Sequence, residues 1–335
     1  MRLEEINSVK KLKSIIAQWN DLIYESKTAT PFQSPEWILN WWYQFGNDHL
    51  RVITVYNSEN KLIALAPLFL YEVHGEKTLS FIGSGISDYL DIIIKNGYET
   101  QVLNSLYKYF QHNQHQYSII DLQEVKKDSI LLTIKNDKLT SVHITQLSRC
   151  PYLILPNSSD EFITHIASKK LRKNIRRGIK YLEKNKSMVS MEIADDNTFE
   201  VFMDDLIKVH TKRWKNKGMN GVLSEDKVKK FHLCSGREMV RNNRLLLYRF
   251  SCEEKVCAAF YILVHNDCAY GYISGFDANF ENVSIGSVCL YLAMKDLIAK
   301  GFRVFDFLRG EEDYKYSWGA KNRVNHQIIL TSGVN

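Results

Sequence analysis

The chain lacks most of what would mark a common catalytic machinery. Its six cysteines are scattered through 335 residues without a Cys-x-x-Cys pair. Cys252 and Cys257 are the closest two, so neither a zinc cage nor a disulfide framework follows, and a reduced, cytoplasmic setting is expected. The longest apolar run, residues 62–71, is interrupted by Pro67 and is too short to cross a bilayer. Residues 1–14 carry Arg2, Glu4, Glu5 and Lys10 instead of the apolar core of a signal peptide. No dinucleotide fingerprint, nucleophile triad or cluster of metal ligands is written into the chain, so no metal is expected. What remains is ordinary in amount. Hydrophobic residues make up 45% and charged residues 24%, with a net charge of +6, as in a soluble globular protein long enough for two domains.

The order of that material is more telling, because it is written twice. Leu12, Ile15, Ile16, Trp19 and Ile23 share one helical face. A second helix opens at Ser34, with Pro35 where its missing amide costs nothing, and turns Ile38, Trp41, Trp42 and Phe45 to one side. A hairpin is expected over 50–56 and 61–71, then strand segments over 79–94, a helix over 99–112 and a strand over 117–124 bearing Asp121. After a turn-rich stretch at 151–159 the order returns. One helix carries Leu171, Ile175, Ile179 and Leu182. Another starts at Asn197 with Phe199, Phe202, Met203, Leu206 and His210 on one side, and a third is capped by Ser224. A hairpin follows over 245–250 and 256–264, then a strand over 268–274, a helix opened by Ser284, and a strand over 302–308 bearing Asp306. Lys61-Leu62-Ile63-Ala64 answers Lys255-Val256-Cys257-Ala258, and Asp121 answers Asp306. The chain therefore reads as two α/β units, 1–155 and 156–335.

The copies are unequal. The second opens its helix with Ser284-Ile285-Gly286-Ser287, where Ser284 is a natural N-cap and Gly286 lets a ligand approach free amides. The first has Gly97-Tyr98-Glu99 there, with an acid unsuited to phosphate. Ile273 and Ser274 at the strand end, with Ser284, Ile285, Gly286, Ser287 and Val288, are thus the expected cofactor-binding residues. Only the second unit has a dense polar loop after its aspartate, with Arg309, Glu311, Glu312, Asp313, Tyr314, Lys315, Tyr316 and Trp318. A basic helix carries Lys169, Lys170, Arg172, Lys173, Arg176, Arg177 and Lys180. It is a solvated face, or it meets an anionic acceptor, cofactor phosphates, nucleic acid or a membrane surface. The lack of interleaved aromatics argues against nucleic acid. His210 reads as a core histidine, whereas Trp214, among charges and a glycine, does not fit a core.

Three stretches carry a resemblance over most of the chain. They are Phe32-Gln33-Ser34-Pro35-Glu36-Trp37, Gly83-Ser84-Gly85-Ile86-Ser87-Asp88-Tyr89-Leu90-Asp91, and Phe305-Asp306-Phe307-Leu308-Arg309-Gly310 with Tyr314-Lys315-Tyr316-Ser317-Trp318-Gly319. On these the chain resembles the GNAT N-acyltransferases, duplicated as in Fem-type aminoacyltransferases. More closely it is similar to the CelD/BcsL-type acetyltransferases of cellulose and exopolysaccharide gene clusters. The resemblance implies tandem GNAT-like domains, each a mixed, mostly antiparallel sheet flanked by helices. It implies acetyl-CoA or a longer acyl-CoA as co-substrate, and an amine, less readily a hydroxyl, on a small molecule, glycan or lipid-linked acceptor. The GNAT pyrophosphate loop, Gln or Arg, two residues, Gly, one residue, Gly or Ala, is represented only by Asn282, Ser284, Gly286 and Ser287.

Acyl transfer needs an amine to lose a proton and a thiolate to leave. In such a site Asp306 is the expected base, and Tyr314 or Tyr316 the acid that protonates the thiolate. Arg309 and Lys315 would stabilise an oxyanion or bind phosphate. Asp88 and Tyr89 of the first unit, with Trp214 and Trp318, are the expected acceptor contacts. Two alternatives stay open: Fem-like aminoacyl transfer from tRNA, and a non-catalytic GNAT-like binding or regulatory protein.

Overall fold

A computed structural model describes residues 1–137, 140–185, 187 and 189–332. Its contacts divide the chain into two compact units, Met1–Arg149 with the tail from Arg323, and Cys150–Asn322. The tail, expected with the second half, is thus part of the first unit.

The first unit runs β1 (Arg2–Ile6), α1 (Val9–Ser14), α2 (Ile16–Glu25), α3 (Pro35–Phe45), β2 (Val52–Tyr56), β3 (Leu62–Ala66), β4 (Leu68–Val73), β5 (Glu76–Phe81), β6 (Ile93–Ile94), α4 (Glu99–His112), β7 (Ile119–Val125) and the start of β8 (Thr140–Ile154). The expected single first helix is two, broken at Ile15. Ser34 does cap α3: its hydroxyl accepts from Trp37 N at 3.3 Å. Two of the tryptophans here are core. Trp19 and Trp37 are fully buried, and their indoles donate to Gln33 O at 3.0 Å and Ser87 Oγ at 2.9 Å. Burial of a large ring with its polar handle satisfied is why they serve packing. The strands form one sheet in the order β1-β2-β3-β6 and a second with β4-β5-β7, continued by β14 (Lys321–Ser332) and β8.

The second unit continues with α5 (Phe162–His165), α6 (Lys169–Lys184), β9 (Val189–Ile193), α7 (Phe199–Asn216), α8 (Asp226–Arg241), β10 (Leu245–Cys252), β11 (Lys255–His265), β12 (Cys268–Phe276), α9 (Ile285–Ala299), β13 (Val304–Asp306) and α10 (Asp313–Ser317). Its strands lie in the order β8-β13-β12-β11-β10-β9. Ser224 does not cap α8; Glu225 holds that position. Alternation along β11 separates two faces. Phe260 and Ile262 join the core with Ile175 and Leu182 of α6 and the apolar side of α9. Tyr261 points the other way, edge-on to His232 of α8 at 5.5 Å. Close packing of α6 on α9 needs Gly178, because a Cβ there would strike Val283 O and the Val288 side chain.

The duplication holds at the level of register. Both units contain one parallel strand pair with the aspartate as third partner: Thr78↔Ile119, Leu79↔Ile120, Ser80↔Asp121 in the first, and Cys268↔Val304, Ala269↔Phe305, Tyr270↔Asp306 in the second. Beyond that pair the units part. In the second, β13 ends at Asp306 while β12 runs on to Phe276. Pairing of Ile262 with Gly271 and of Tyr261 with Ile273 leaves Tyr272 as a bulge, which bends the strand and breaks its ladder locally.

Candidate active site

The fork left where β13 stops opens into a cavity of about 310 Å³ within the second unit. Its lining includes Ile273 and Ser274 on β12, Ser284, Ile285, Gly286 and Ser287 at the start of α9, and Tyr314 and Trp318 beyond the fork. Eight sequence-selected residues are therefore brought together. Trp318 is 1% exposed and stacks on Phe162 with centroids 6.0 Å apart, which fixes it as part of the cavity wall.

The start of α9 differs in detail from the expectation. Ser284 holds the N-cap position, but in a left-handed conformation (φ 53, ψ 44) and with no side-chain capping bond. Its carbonyl accepts from Ser287 N at 2.9 Å and Val288 N at 3.1 Å. Among the described residues the Ile285 and Gly286 amides have no acceptor, so the unpaired donors of this helix end are those two. Gly286 is required for packing as well as for access, since a Cβ there would meet the Phe276 ring at 2.8 Å. Val288 does not line the cavity; it is buried in the core beneath it. The side chain of Asn282 lies outside the described residues.

The expected catalytic residues split. Asp306 is fully buried and does not line the cavity. Its Oδ1 accepts from Leu308 N at 2.8 Å and so holds a turn in which Leu308 has φ 59. Lys315 is 2% exposed. Its Nζ donates to the carbonyls of Leu308, Arg309 and Gly310 at 3.2, 2.8 and 3.0 Å, and it pairs with Glu312 at 2.9 Å. With its donors engaged, it clamps the turn and is not free for an oxyanion. Arg309 is half-buried and outside the lining. Tyr316 donates to Asn322 Oδ1 at 3.1 Å and Glu311 Oε1 at 3.4 Å, also outside it. Tyr314 alone of this set faces the cavity. Although 45% of the residue is exposed, the protein packed round its hydroxyl pushes the pKa up to about 12. Burial is the larger cause and the Glu312 carboxylate adds to it, while Arg213 pulls the other way. The phenol is thus a held proton at neutral pH.

The expected acceptor contacts other than Trp318 lie elsewhere. Asp88 and Tyr89 are buried in the first unit, 8% and 1% exposed; Tyr89 O accepts from Gln33 and Asp88 O from Asn325. Trp214 is half-buried against His210, ring centroids 6.0 Å apart, and is not in the lining. His210 is the core histidine expected, 2% exposed and held neutral by burial, its pKa brought down to about 4.

The cavity also contains residues that were not anticipated. Phe260, Ile262, Leu290, Phe305 and Phe307 make most of it apolar. Arg213 enters from α7, its guanidinium 4.2 Å over the Phe276 ring. The sequence signal for Arg213 was present. The buried stripe of α7 runs Phe199, Phe202, Met203, Leu206, Val209 and His210, and Arg213 takes the next place in it.

Residues 169–316, most of the second unit, match the acetyltransferase (GNAT) domain family. No curated protein matches the chain. Among solved structures, FemX is similar over 98% of this chain and 97% of its own, with a TM-score of 0.69 and 11% identity. A conserved protein of unknown function from Bacteroides thetaiotaomicron is similar over 98% and 100%, with a TM-score of 0.63 and 9% identity. L-PGS from Bacillus licheniformis is similar over 98% and 93%, with a TM-score of 0.56 and 10% identity. At such identities the likeness is one of fold, and it extends through both units. The fold is mixed α/β, GNAT-like and tandem.

Proposed function

We propose that the second unit is an N-acyltransferase that moves an acetyl or longer acyl group from acyl-CoA to an amine. The fork carries this assignment: one cavity lies against β12, beyond the reach of β13, and against the first turn of α9. A strand edge can bind an extended amide-bearing chain by main-chain hydrogen bonds. A helix start with unpaired amides favours phosphate. The apolar remainder suits an acyl group.

The chemistry assigned to the chain is brief. The amine nitrogen attacks the thioester carbonyl, a C–N bond forms and the C–S bond breaks. Tyr314 gives its proton to the departing thiolate and takes one back from solvent before the next turnover. Among the described residues no carboxylate lines the cavity, so the amine arrives neutral and its surplus proton leaves to solvent. Asp306 then serves as a positioning residue for the turn at Leu308, and Lys315 as the clamp on that turn. An amine on a polysaccharide or cell-envelope precursor is the acceptor class that the resemblance to exopolysaccharide-associated enzymes supports.

Aminoacyl-tRNA is the rival donor. It draws support from α6, where Lys169, Lys170, Lys173, Arg176, Arg177 and Lys180 are exposed and, among the described residues, form no ion pair. The deciding measurement is thiol release from acetyl-CoA and longer acyl-CoA with a panel of amines, run beside RNase-sensitive transfer from aminoacyl-tRNA. Transfer from tRNA without thiol release from any acyl-CoA would overturn the donor assignment. Binding of CoA without transfer from either donor would point to a regulatory module.

A further inference from the structure

Arg213 is half-buried in a mostly apolar cavity. It continues the apolar stripe of α7 into the cavity. Its Nε is buried and, among the described residues, has no hydrogen-bond partner. No carboxylate among them lies within salt-bridge distance of its guanidinium. The acid that acts on it from farther off, Glu312, is already paired with Lys315 at 2.9 Å. Desolvation accordingly pulls the Arg213 pKa down from its ordinary value. An Nε buried without a partner carries a desolvation cost that an anionic acceptor on a ligand would remove. The last turn of α7 also carries Lys215, exposed to solvent, so favouring a cation at a helix C-terminus does not require a buried one. Phe276 ties the two polar ends of the cavity together: the guanidinium stacks on its ring, and Gly286 at the start of α9 closes against the same ring.

We propose that Arg213 determines what this cavity accepts, and that it binds an oxyanion, phosphate or carboxylate, carried by the ligand. The planar fork of a guanidinium matches both groups with paired hydrogen bonds, which a lysine cannot reproduce. The acyl-transfer assignment enters only in naming the source, either a phosphate of the donor or a carboxylate on the acceptor.

Calorimetry on the full chain tests it, titrating inorganic pyrophosphate, CoA, pantetheine and succinate into the wild type, Arg213→Gln and Arg213→Lys. If the donor phosphate is the source, pyrophosphate and CoA lose about tenfold or more in affinity in Arg213→Gln, partly regained in Arg213→Lys, with pantetheine unaffected. If a carboxylate is the source, succinate shows that loss and CoA does not. In that case the preference for a carboxylate-bearing amine over its methyl ester collapses in thiol-release assays. A structural role would lower the melting temperature of the ligand-free variant; here it is expected to stay within about 2 °C of the wild type or to rise. Unchanged affinity for all four probes in folded Arg213→Gln overturns the proposal, as does a ligand-free melting temperature several degrees lower. Wild-type protein that binds an oxyanion through Arg213 but releases no thiol would instead remove the acyl-transfer assignment and leave the anion site standing.

Discussion

The two units use one topology, and only the second leaves it open. At the start of α4 in the first unit, Glu99 turns its own carboxylate back to the Gly97 amide at 2.9 Å. An acid in the first turn already places negative charge at that helix start, which disfavours a phosphate there. The fork beyond the parallel pair is closed there too: Leu90 bridges to Val125, and its amide donates to Glu124 O at 3.0 Å. The aspartate of the third register position, Asp121, accepts from Gln123 and Gln327. In the second unit the corresponding helix start has no acid in its first turn, among the described residues no segment pairs beyond Asp306 on the fork side, and the cavity occupies the gap. A site in this architecture thus arises where pairing is omitted, which costs stability locally and is tolerated where a ligand repays it.

The largest expected effect separates the open fork from its closed twin by chemistry. Tyr314→Phe should lower turnover by about 10²- to 10⁴-fold, the usual worth of a general acid, with CoA affinity unchanged. Because the phenol holds its proton until about pH 12, the rise of rate through neutral pH should follow deprotonation of the amine and persist in Asp306→Asn. A pH profile that loses its acidic limb in a folded Asp306→Asn enzyme would return the base to Asp306.

Making the second unit resemble the first is the next test. Ser287→Glu places an acid in the first turn of α9 without the collision at Phe276 that confounds a change at Gly286. CoA affinity, read by calorimetry, should fall by about 10²-fold, and Glu99→Ser in the first unit should leave it unaltered. Equal losses from both changes would break the distinction between the units.

The first unit has a buried acid of its own that the second unit's chemistry does not use. Asp91 is 2% exposed and accepts from Ser129 Oγ and Ile92 N, both at 2.8 Å. Burial nevertheless pushes its pKa up to about 7. A carboxyl raised in the folded state contributes stability below its unfolded pKa, about 4, and loses it as pH climbs through 7. Asp91→Asn should therefore be more stable than the wild type at pH 8, by on the order of 4 kcal/mol, and nearly equal to it near pH 4. Denaturant melts at the two pH values decide this; a variant that is weaker at pH 8 would assign the charged carboxylate a stabilising role.

The smallest effect concerns α6. Arg172 is committed to the carbonyl of Ile166 at 2.8 Å, so the informative reversal is Lys173, Arg177 and Lys180 to glutamate. If this face meets an anionic acceptor or RNA, KM should rise several-fold at low salt and the difference should vanish at high salt. A KM independent of both charge and salt would make it a solvated face.

Much of this was legible along the chain. Apolar spacing located most of the helices, the repeated order exposed the duplication, and the contrast of Ser284-Ile285-Gly286-Ser287 with Gly97-Tyr98-Glu99 marked the open helix end. These are local signals, set by side-chain period and capping chemistry within a few residues. The assignment of chemistry to the loop after Asp306 was harder. Asp306, Lys315 and Tyr316 have the residue types of a catalytic group, yet their polar atoms are spent on the backbone or on neighbours. That is visible only when the turn at 308–310 exists in space.

The sequence by itself determined the elements, their order and the inequality of the two copies, because periodicity and turn chemistry act over short range. Only the tertiary structure decided which polar groups are left without partners. The tail from Arg323 joins the first unit, Leu90 closes one fork while the other stays open, and Arg213 is carried by the stripe of α7 into an apolar cavity. Each depends on contacts between residues far apart in the chain, where the cost of burying a charge or leaving an amide unpaired is settled by the neighbours the fold supplies.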